Sequence, residues 1–377
     1  MSSLQKTAER LLALAGIKIN GRQPWDIKIR NPLFYQEVLG RGSLGLGESY
    51  MAGWWDCQQL DQFFYKLFQT GLDCQIKDNL GLIFQAVAAR LFNHQSKARA
   101  FNIGQAHYDK GNDLYRAMLG KTMVYSCGYW KSAKNLDQAQ VAKLDLICRK
   151  LGLKKGMRLL DVGCGWGGLL KYAAEKYGVS GVGITVSQKQ AELAKKICKR
   201  LPIEIRLQDY RDLLSKGKEL FDRIVSVGMF EHVGYKNYRL YFEVMGRCLK
   251  DGGLFLLHTI GNNYSVTSID PWINKYIFPN SMLPSVKQIA AAAEGLFIME
   301  DWHNFGANYD KTLMAWQENF EKAWPRLKRH YDQRFYRMWR YYLLTCAALF
   351  RARRHQLWQI VFSQNDHVIP GGYQAVR

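Results

Sequence analysis

The sequence predicts an α/β fold: a seven-stranded sheet with helices on both faces, preceded by a smaller N-terminal α+β domain. Three observations predict it. Arg158-Leu159-Leu160-Asp161-Val162 reads as a buried strand that runs into Gly163-Cys164-Gly165-Trp166-Gly167-Gly168 and then the helical Leu169-Leu170-Lys171-Tyr172-Ala173-Ala174. From His107 onward a helix is followed by strands and helices in alternation, the pattern of a parallel sheet covered on both sides. Residues up to about 92 carry a mixed pattern of their own.

Taken in order, a helix opens near Leu4 with Ala8, Leu11, Leu12 and Leu14 on one side. The alternation of Asp26-Ile27-Lys28-Ile29-Arg30 predicts a strand. Residues 40–53 are rich in turn formers, and Trp54-Trp55 is expected to restart an apolar helix. A further helix, 80–92, ends in the polar run Asn93-His94-Gln95-Ser96-Lys97-Ala98-Arg99, which reads as an inter-domain connection. The expected domains are therefore 1–92, a linker over 93–106, and 107–377. Strands are expected at 158–162, 181–185, 203–208, 223–227 and 254–259. An irregular insertion over 261–284 follows, then a sixth strand at 297–304, a long helical region, and a seventh strand at 357–362.

Composition bounds the function. A hydrophobic fraction of 48% is ample for a packed core and argues against disorder. Lys and Arg outnumber Asp and Glu by 53 to 32, a formal charge of +21 that favours polyanionic partners, either nucleic acid or an acidic membrane face. The 8 cysteines show no C-x-x-C spacing, so they read as reduced thiols without a structural metal. The N-terminus resembles no signal peptide, and no window approaches the roughly 18 apolar residues that would span a bilayer. The expected location is cytoplasmic, with any membrane contact peripheral and on the inner face.

The glycines at 163, 165, 167 and 168 depart from the G-x-G-x-x-G spacing of dinucleotide folds. Asp161-x-Gly163-x-Gly165-x-Gly167 resembles instead the first motif of class I S-adenosylmethionine-dependent methyltransferases. Further segments narrow the likeness: His107-Tyr108-Asp109-x-Gly111-Asn112-Asp113, Tyr125-Ser126-Cys127, Gly183-Ile184-Thr185-Val186-Ser187-Gln188-Lys189-Gln190, Ser226-Val227-Gly228-Met229-Phe230-Glu231-His232-Val233-Gly234 and Phe255-Leu256-Leu257-His258-Thr259-Ile260-Gly261. With Gly45-Leu46-Gly47-Glu48-Ser49-Tyr50-Met51 near the N-terminus, the chain resembles the cyclopropane-fatty-acyl-phospholipid synthases over nearly its whole length.

That resemblance implies transfer of a methylene group from S-adenosyl-L-methionine to the cis double bond of unsaturated phospholipid acyl chains. It implies a cofactor site at Tyr125, Ser126, Asp161, Gly163, Gly165, Gly167, Gly168, Thr185, Gln190, Asp209 and Tyr210. The acid that usually holds ribose after the second strand is replaced here by Thr185 with Gln190, a departure the family shares. Asp209 either meets the adenine or caps the turn after it. The resemblance further implies a bicarbonate ion as base, held by Cys127, Glu231, His258, the Ile260 backbone and Tyr309. His258 taken alone would more often be a hydrogen-bonded structural histidine, and the resemblance is what turns it into a site residue. Cys346 matches a cysteine often marked as active in the family, yet the chemistry requires no thiolate and its flanks are apolar, so it is expected to line a pocket. A homodimer is compatible with the resemblance.

Residues 322–354 carry Lys322, Arg326, Lys328, Arg329, Arg334, Arg337, Arg340, Arg351, Arg353 and Arg354 against a lone Asp332, interleaved with aromatics. The segment reads either as a docking surface for anionic headgroups or as a solvated helix with an aromatic core side. The competing functions are an RNA methyltransferase and a non-catalytic lipid binder. No RNA-binding module appears, which leaves nucleic acid an unexpected partner.

Overall fold

The computed structural model describes residues 3–71, 111–215, 217, 219–366 and 372–377. The expected helix 80–92, the linker 93–106 and the motif residues 107–110 lie outside the described residues. The described chain clusters into two units. One holds 3–71 with 268–279 and 309–355; the other holds 111–267, 280–308 and the remainder from 356.

In the first unit a helix over Ser3–Leu14 precedes β1 (Ile27–Ile29), as the alternation there predicts. Leu14 is exposed, so the buried side of the helix is narrower than its leucines suggest. The stretch 40–53, expected to turn, is mostly helix, within Phe34–Met51. Only Gly42 breaks it, with a left-handed φ of 54°. Gly47 serves packing instead of turning: a Cβ there would overlap the Trp272 indole, which lies in the short helix Pro271–Tyr276. Trp55 opens no helix. It starts β2 (Trp55–Cys57), antiparallel to β1 with Ile29 opposite Trp55, and the helix begins later, at Leu60–Thr70. Aromatic side chains favour such pleated, half-buried positions, and the Trp55 ring packs on Tyr50 and Phe63.

The expected long helical region is two helices, Ala307–Leu327 and Gln333–Arg351, the second capped by Asp332 accepting from the Phe335 amide at 2.7 Å. The 333–351 helix packs on helices 34–51 and 60–70. Its arginines bind their own unit. Arg337 donates to the Trp55 carbonyl at 2.7 Å and pairs with Asp56 at 2.7 Å. Arg340 donates to the Tyr50 hydroxyl at 2.6 Å, and Arg351 bridges Asp61 and Asp310 at 2.7 and 2.9 Å.

The second unit is built on a 7-stranded sheet: β3 (Arg158–Val162), β4 (Ser180–Thr185), β5 (Ile203–Leu207), β6 (Phe221–Val227), β7 (Leu249–Asn262), β8 (Phe297–Asn304) and β9 (His355–Gln364). The spatial order is β5-β4-β3-β6-β7-β9-β8. Pairs β5/β4, β4/β3, β3/β6 and β6/β7 are parallel, and β8/β9 is antiparallel. Alternation along each strand sorts the core. Leu159, Val225, Leu254, Leu256 and Val361 meet helices Leu136–Lys150 and Gly168–Tyr177 on one face. Leu160, Ile224, Phe255, Leu257 and Ile360 meet helices Tyr238–Cys248 and Val286–Ala293 on the other. The order reverses between β3 and β6, and open α/β sheets bind ligands at the carboxyl ends of the strands beside such a reversal.

Candidate functional site

The glycine loop sits at that reversal. Gly163, Gly165 and Gly167 take φ of 87°, 54° and 82°, values that cost a side-chain-bearing residue but not glycine. The amides of Gly163 and Cys164 both donate to the Ile184 carbonyl of β4, at 3.0 and 2.9 Å, which fixes the turn. A Cβ on Gly168 would overlap the Thr122 carbonyl, so the loop is held against the segment that leads to Tyr125. The Trp166 indole donates to Asn112 at 3.1 Å and packs on Tyr115, which in turn meets Tyr125.

A cavity opens over this loop. Of the expected cofactor residues, Tyr125, Ser126, Asp161, Gly163, Gly165, Gly168, Thr185, Gln190, Asp209 and Tyr210 line it. Gly167 stands just outside the lining, as the left-handed residue that starts helix 168–177. Thr185 accepts from the Ser187 amide at 3.2 Å and donates to Gln190 at 2.8 Å, so two neutral side chains hold the place of the missing acid. Asp209 caps the turn after it and also faces the cavity. It lines the cavity while accepting from the Arg211 amide and guanidinium at 2.9 and 2.7 Å, which caps the turn at Tyr210–Asp212.

Lys143 also lines the cavity, a position no sequence motif marks. It comes from helix 136–150, is wholly buried, and donates to the Ser126 hydroxyl at 2.8 Å. Gln140, one turn earlier, donates to the Ser126 carbonyl at 2.8 Å, so this helix pins the Tyr125–Cys127 segment. Burial pushes the Lys143 ammonium well below its ordinary range, against the pull of Cys127 and Asp161. Burial likewise pushes the Asp161 carboxyl up, with Lys143 opposing. Asp161 Oδ1 has no hydrogen-bond partner.

A second group of polar atoms stands just beyond β6 and on the neighbouring stretch of β7. Glu231 follows β6 in a short 3-10 turn, Phe230–His232, and its Oε1 accepts from the Ile260 amide at 2.7 Å. The Ile260 backbone donor named by the resemblance is thus engaged by Glu231. Burial pushes the Glu231 carboxyl up to about 7, although the Ile260 hydrogen bond opposes it. Its Oε2 has no partner. His258 lies on β7 opposite Val227 of β6. Burial, then the Lys143 and Lys150 charges, hold its ring well below the usual imidazole range, so it is neutral. Its Nδ1 meets Gln359 Nε2 at 3.3 Å, and its Nε2 is unpartnered. Cys127 is fully buried, with its thiol donating to the Gly128 carbonyl at 3.2 Å.

Cys127, Glu231, His258 and Ile260 therefore belong to the second unit, with the glycine loop. Tyr309 and Cys346 belong to the first. Tyr309 is buried there against Phe350, ring centroids 4.6 Å apart, and Trp316. Cys346 sits on the 333–351 helix, where burial and the Asp270 charge push its thiol up to about 12. Such a thiol stays protonated and unreactive at neutral pH.

The model of the mycolic acid cyclopropane synthetase family matches residues 95–360. The chain is 57% identical over 372 residues to the cyclopropane-fatty-acyl-phospholipid synthase of Escherichia coli strain K12, covering 99% of this chain and 96% of that one. The cyclopropane synthase MmaA2 from Mycobacterium tuberculosis superposes with a TM-score of 0.65 at 30% identity, over 70% of this chain and 98% of that one. The mycolic acid cyclopropane synthase CmaA1, solved in complex with SAH and CTAB, superposes with a TM-score of 0.63 at 33% identity, over 70% and 97%.

Proposed function

Because the chain belongs to the mycolic acid cyclopropane synthetase family, we propose that it transfers a methylene group from S-adenosylmethionine to the cis double bond of unsaturated acyl chains in phospholipids. The observation that carries this reading is the pairing of a glycine-loop cavity with two buried acid–base groups, Glu231 just beyond β6 and His258 on the neighbouring β7, each with one unpartnered atom.

The double bond attacks the sulfonium methyl. A carbon–carbon bond forms, the carbon–sulfur bond breaks, and sulfur leaves neutral. The positive charge passes to the acyl chain. Loss of a proton from the new methyl then closes the three-membered ring. Water would quench that cation, so the step needs a dry site. The low exposure of Cys127, Glu231 and His258 supports one. Asp161, Thr185, Gln190 and Asp209 are the proposed cofactor contacts, with Tyr210 beside them. Asp161 Oδ1 and the Tyr210 hydroxyl, both buried and unpartnered, suit a ligand rich in donors and acceptors.

A bicarbonate ion is the proposed proton acceptor, and when bound it would supply the base that the side chains lack. The donor set fits a small oxyanion. The Glu231 carboxyl, raised to about 7, keeps a proton to offer near neutral pH, and the neutral His258 ring adds a further polar atom.

Among the described residues no helix is long and apolar enough to cross a membrane. We propose peripheral contact with anionic lipid, and narrow it to the turn between helices 307–327 and 333–351. Arg326, Lys328, Arg329 and Arg334 are exposed there, whereas Arg337, Arg340 and Arg351 hold the first unit together.

The test is incubation with labelled S-adenosylmethionine and either unsaturated phospholipid vesicles or RNA, followed by mass spectrometry. The expected result is a gain of one CH₂ per double bond in the lipid. Label entering RNA with the lipid unchanged would overturn the proposal.

A further inference from the structure

Gln359 lies in β9, wholly buried, and among the described residues its carboxamide is the hydrogen-bond partner of the His258 ring, at 3.3 Å from Nδ1. No motif marks it, since β9 is buried along nearly its whole length and reads as plain core. A carboxamide in that place has a consequence. The ring beside it is neutral, so it carries one proton, on Nδ1 or on Nε2, and the neighbour of Nδ1 decides which.

Two orientations of the carboxamide are conceivable. With the oxygen toward the ring, Nδ1 must carry the proton, and the NH₂ group turns to the side where Oε1 now stands without a partner. Both of its donors would then need acceptors on that side. With the NH₂ toward the ring, Nδ1 is the acceptor and only a carbonyl oxygen is left over. Buried donors without partners are rarer than under-used carbonyls, and leaving either unsatisfied costs about 1–3 kcal/mol. The structure holds the second orientation, with Gln359 Nε2 3.3 Å from His258 Nδ1.

We propose that Gln359 is a positioning residue that fixes His258 as the Nε2–H tautomer, so that this nitrogen can only donate. His258 then serves to hold a negatively charged oxygen near Glu231 and is not the proton acceptor of the reaction. The Glu231 carboxyl, in the turn after β6, is tied to the Ile260 amide, two residues along β7 from His258. What the donor is for rests on the methylene-transfer reading; the tautomer itself does not.

The experiment is NMR of the full chain carrying ¹³C,¹⁵N-labelled histidine, with His258→Gln to assign the signal among the 8 histidines. The ring shifts report which nitrogen bears the proton. The expected result is Nε2–H in the unaltered protein. Gln359→Glu keeps the size but offers only acceptors, so it should move the proton to Nδ1 or protonate the ring fully. Turnover should fall by about 10–100-fold, the size of effect seen when the outer hydrogen-bond partner of a metal-ligating histidine is removed, with KM for S-adenosylmethionine little changed. An Nδ1–H signal in the unaltered protein overturns the proposal even if no variant folds. So does a folded Gln359→Glu protein with unchanged tautomer and full turnover. Failure of the unaltered enzyme to modify lipid, with the Nε2–H signal present, would strike the proposed function and leave the tautomer assignment standing.

Discussion

Replacing Glu231 by glutamine should stabilise the protein at alkaline pH while removing activity, and the size of the effect follows from burial. The carboxyl is fully enclosed and raised from 4.5 to about 7. Between those values the folded protein keeps a proton that the unfolded chain has released. The contribution of Glu231 to stability is therefore complete below about pH 4.5 and is lost as pH rises through about 7. The whole gap corresponds to about 3 kcal/mol, of which about 2.5 kcal/mol falls between pH 5 and pH 8. Glutamine keeps the oxygen that accepts from the Ile260 amide and cannot ionise. Urea unfolding of both proteins at pH 5 and pH 8 gives the test, because the difference between variant and parent at each pH cancels the other titrating groups. The variant should gain about 2.5 kcal/mol on its parent over that interval. An advantage that is the same at both pH values would mean that Glu231 titrates as an ordinary carboxylate, and the argument from burial would fail.

Gly47→Ala should cost about 1–3 kcal/mol through overpacking against Trp272, read as a lower melting temperature. Arg337→Met should destabilise by about 1–3 kcal/mol, because it removes the donor to the Trp55 carbonyl and one of the two arginines on Asp56, leaving Arg30, and it should leave vesicle binding intact in protein that remains folded. The exposed set Arg326→Glu, Lys328→Glu and Arg329→Glu should do the reverse, abolishing the preference for anionic vesicles at low salt without lowering the melting temperature. Cys346→Ala should keep turnover within a few-fold, and the native thiol should resist alkylation at pH 8, since burial holds it up near 12.

Much of the second unit was legible because its signals are local. The five parallel strands and the β8/β9 pair fall on the apolar runs, and the glycine loop marks the cavity. The failures are physical in kind. Glycine spacing does not say whether a glycine turns the chain or clears space for a neighbour, so the 34–51 helix was hidden by Gly45 and Gly47, whose neighbours lie at Glu37 and in the distant 271–276 helix. Lys143 did carry a signal. It shares the buried face of helix 136–150 with Ala139, Leu144 and Ile147, although a lysine at such a position is ordinarily solvated. Gln359 carried none, because its role depends on which residue stands beside it in the next strand. The packing of the 333–351 helix on residues 34–70 is likewise non-local, and no periodicity encodes it.

The unpartnered polar atoms bear on what the site must receive. Among the described residues, the carboxylate oxygens buried without a hydrogen bond are Asp161 Oδ1 and Glu231 Oε2, at the ends of β3 and just beyond β6. A stable core does not leave such atoms bare, since each costs more than a neutral group to bury. An apolar acyl chain alone would leave both as they are. A cationic, donor-rich co-substrate at the glycine loop would relieve Asp161, and a protonated or anion-bridged Glu231 would be relieved separately, at the other strand end. Filling the first site with S-adenosylhomocysteine, which lacks the sulfonium charge, should therefore leave the Glu231 carboxyl near 7, whereas adding bicarbonate should move it. Isotope-edited infrared spectroscopy of the glutamate carboxyl reads both, and a shift on adding S-adenosylhomocysteine alone would show that the two strand ends act as one site and not as two.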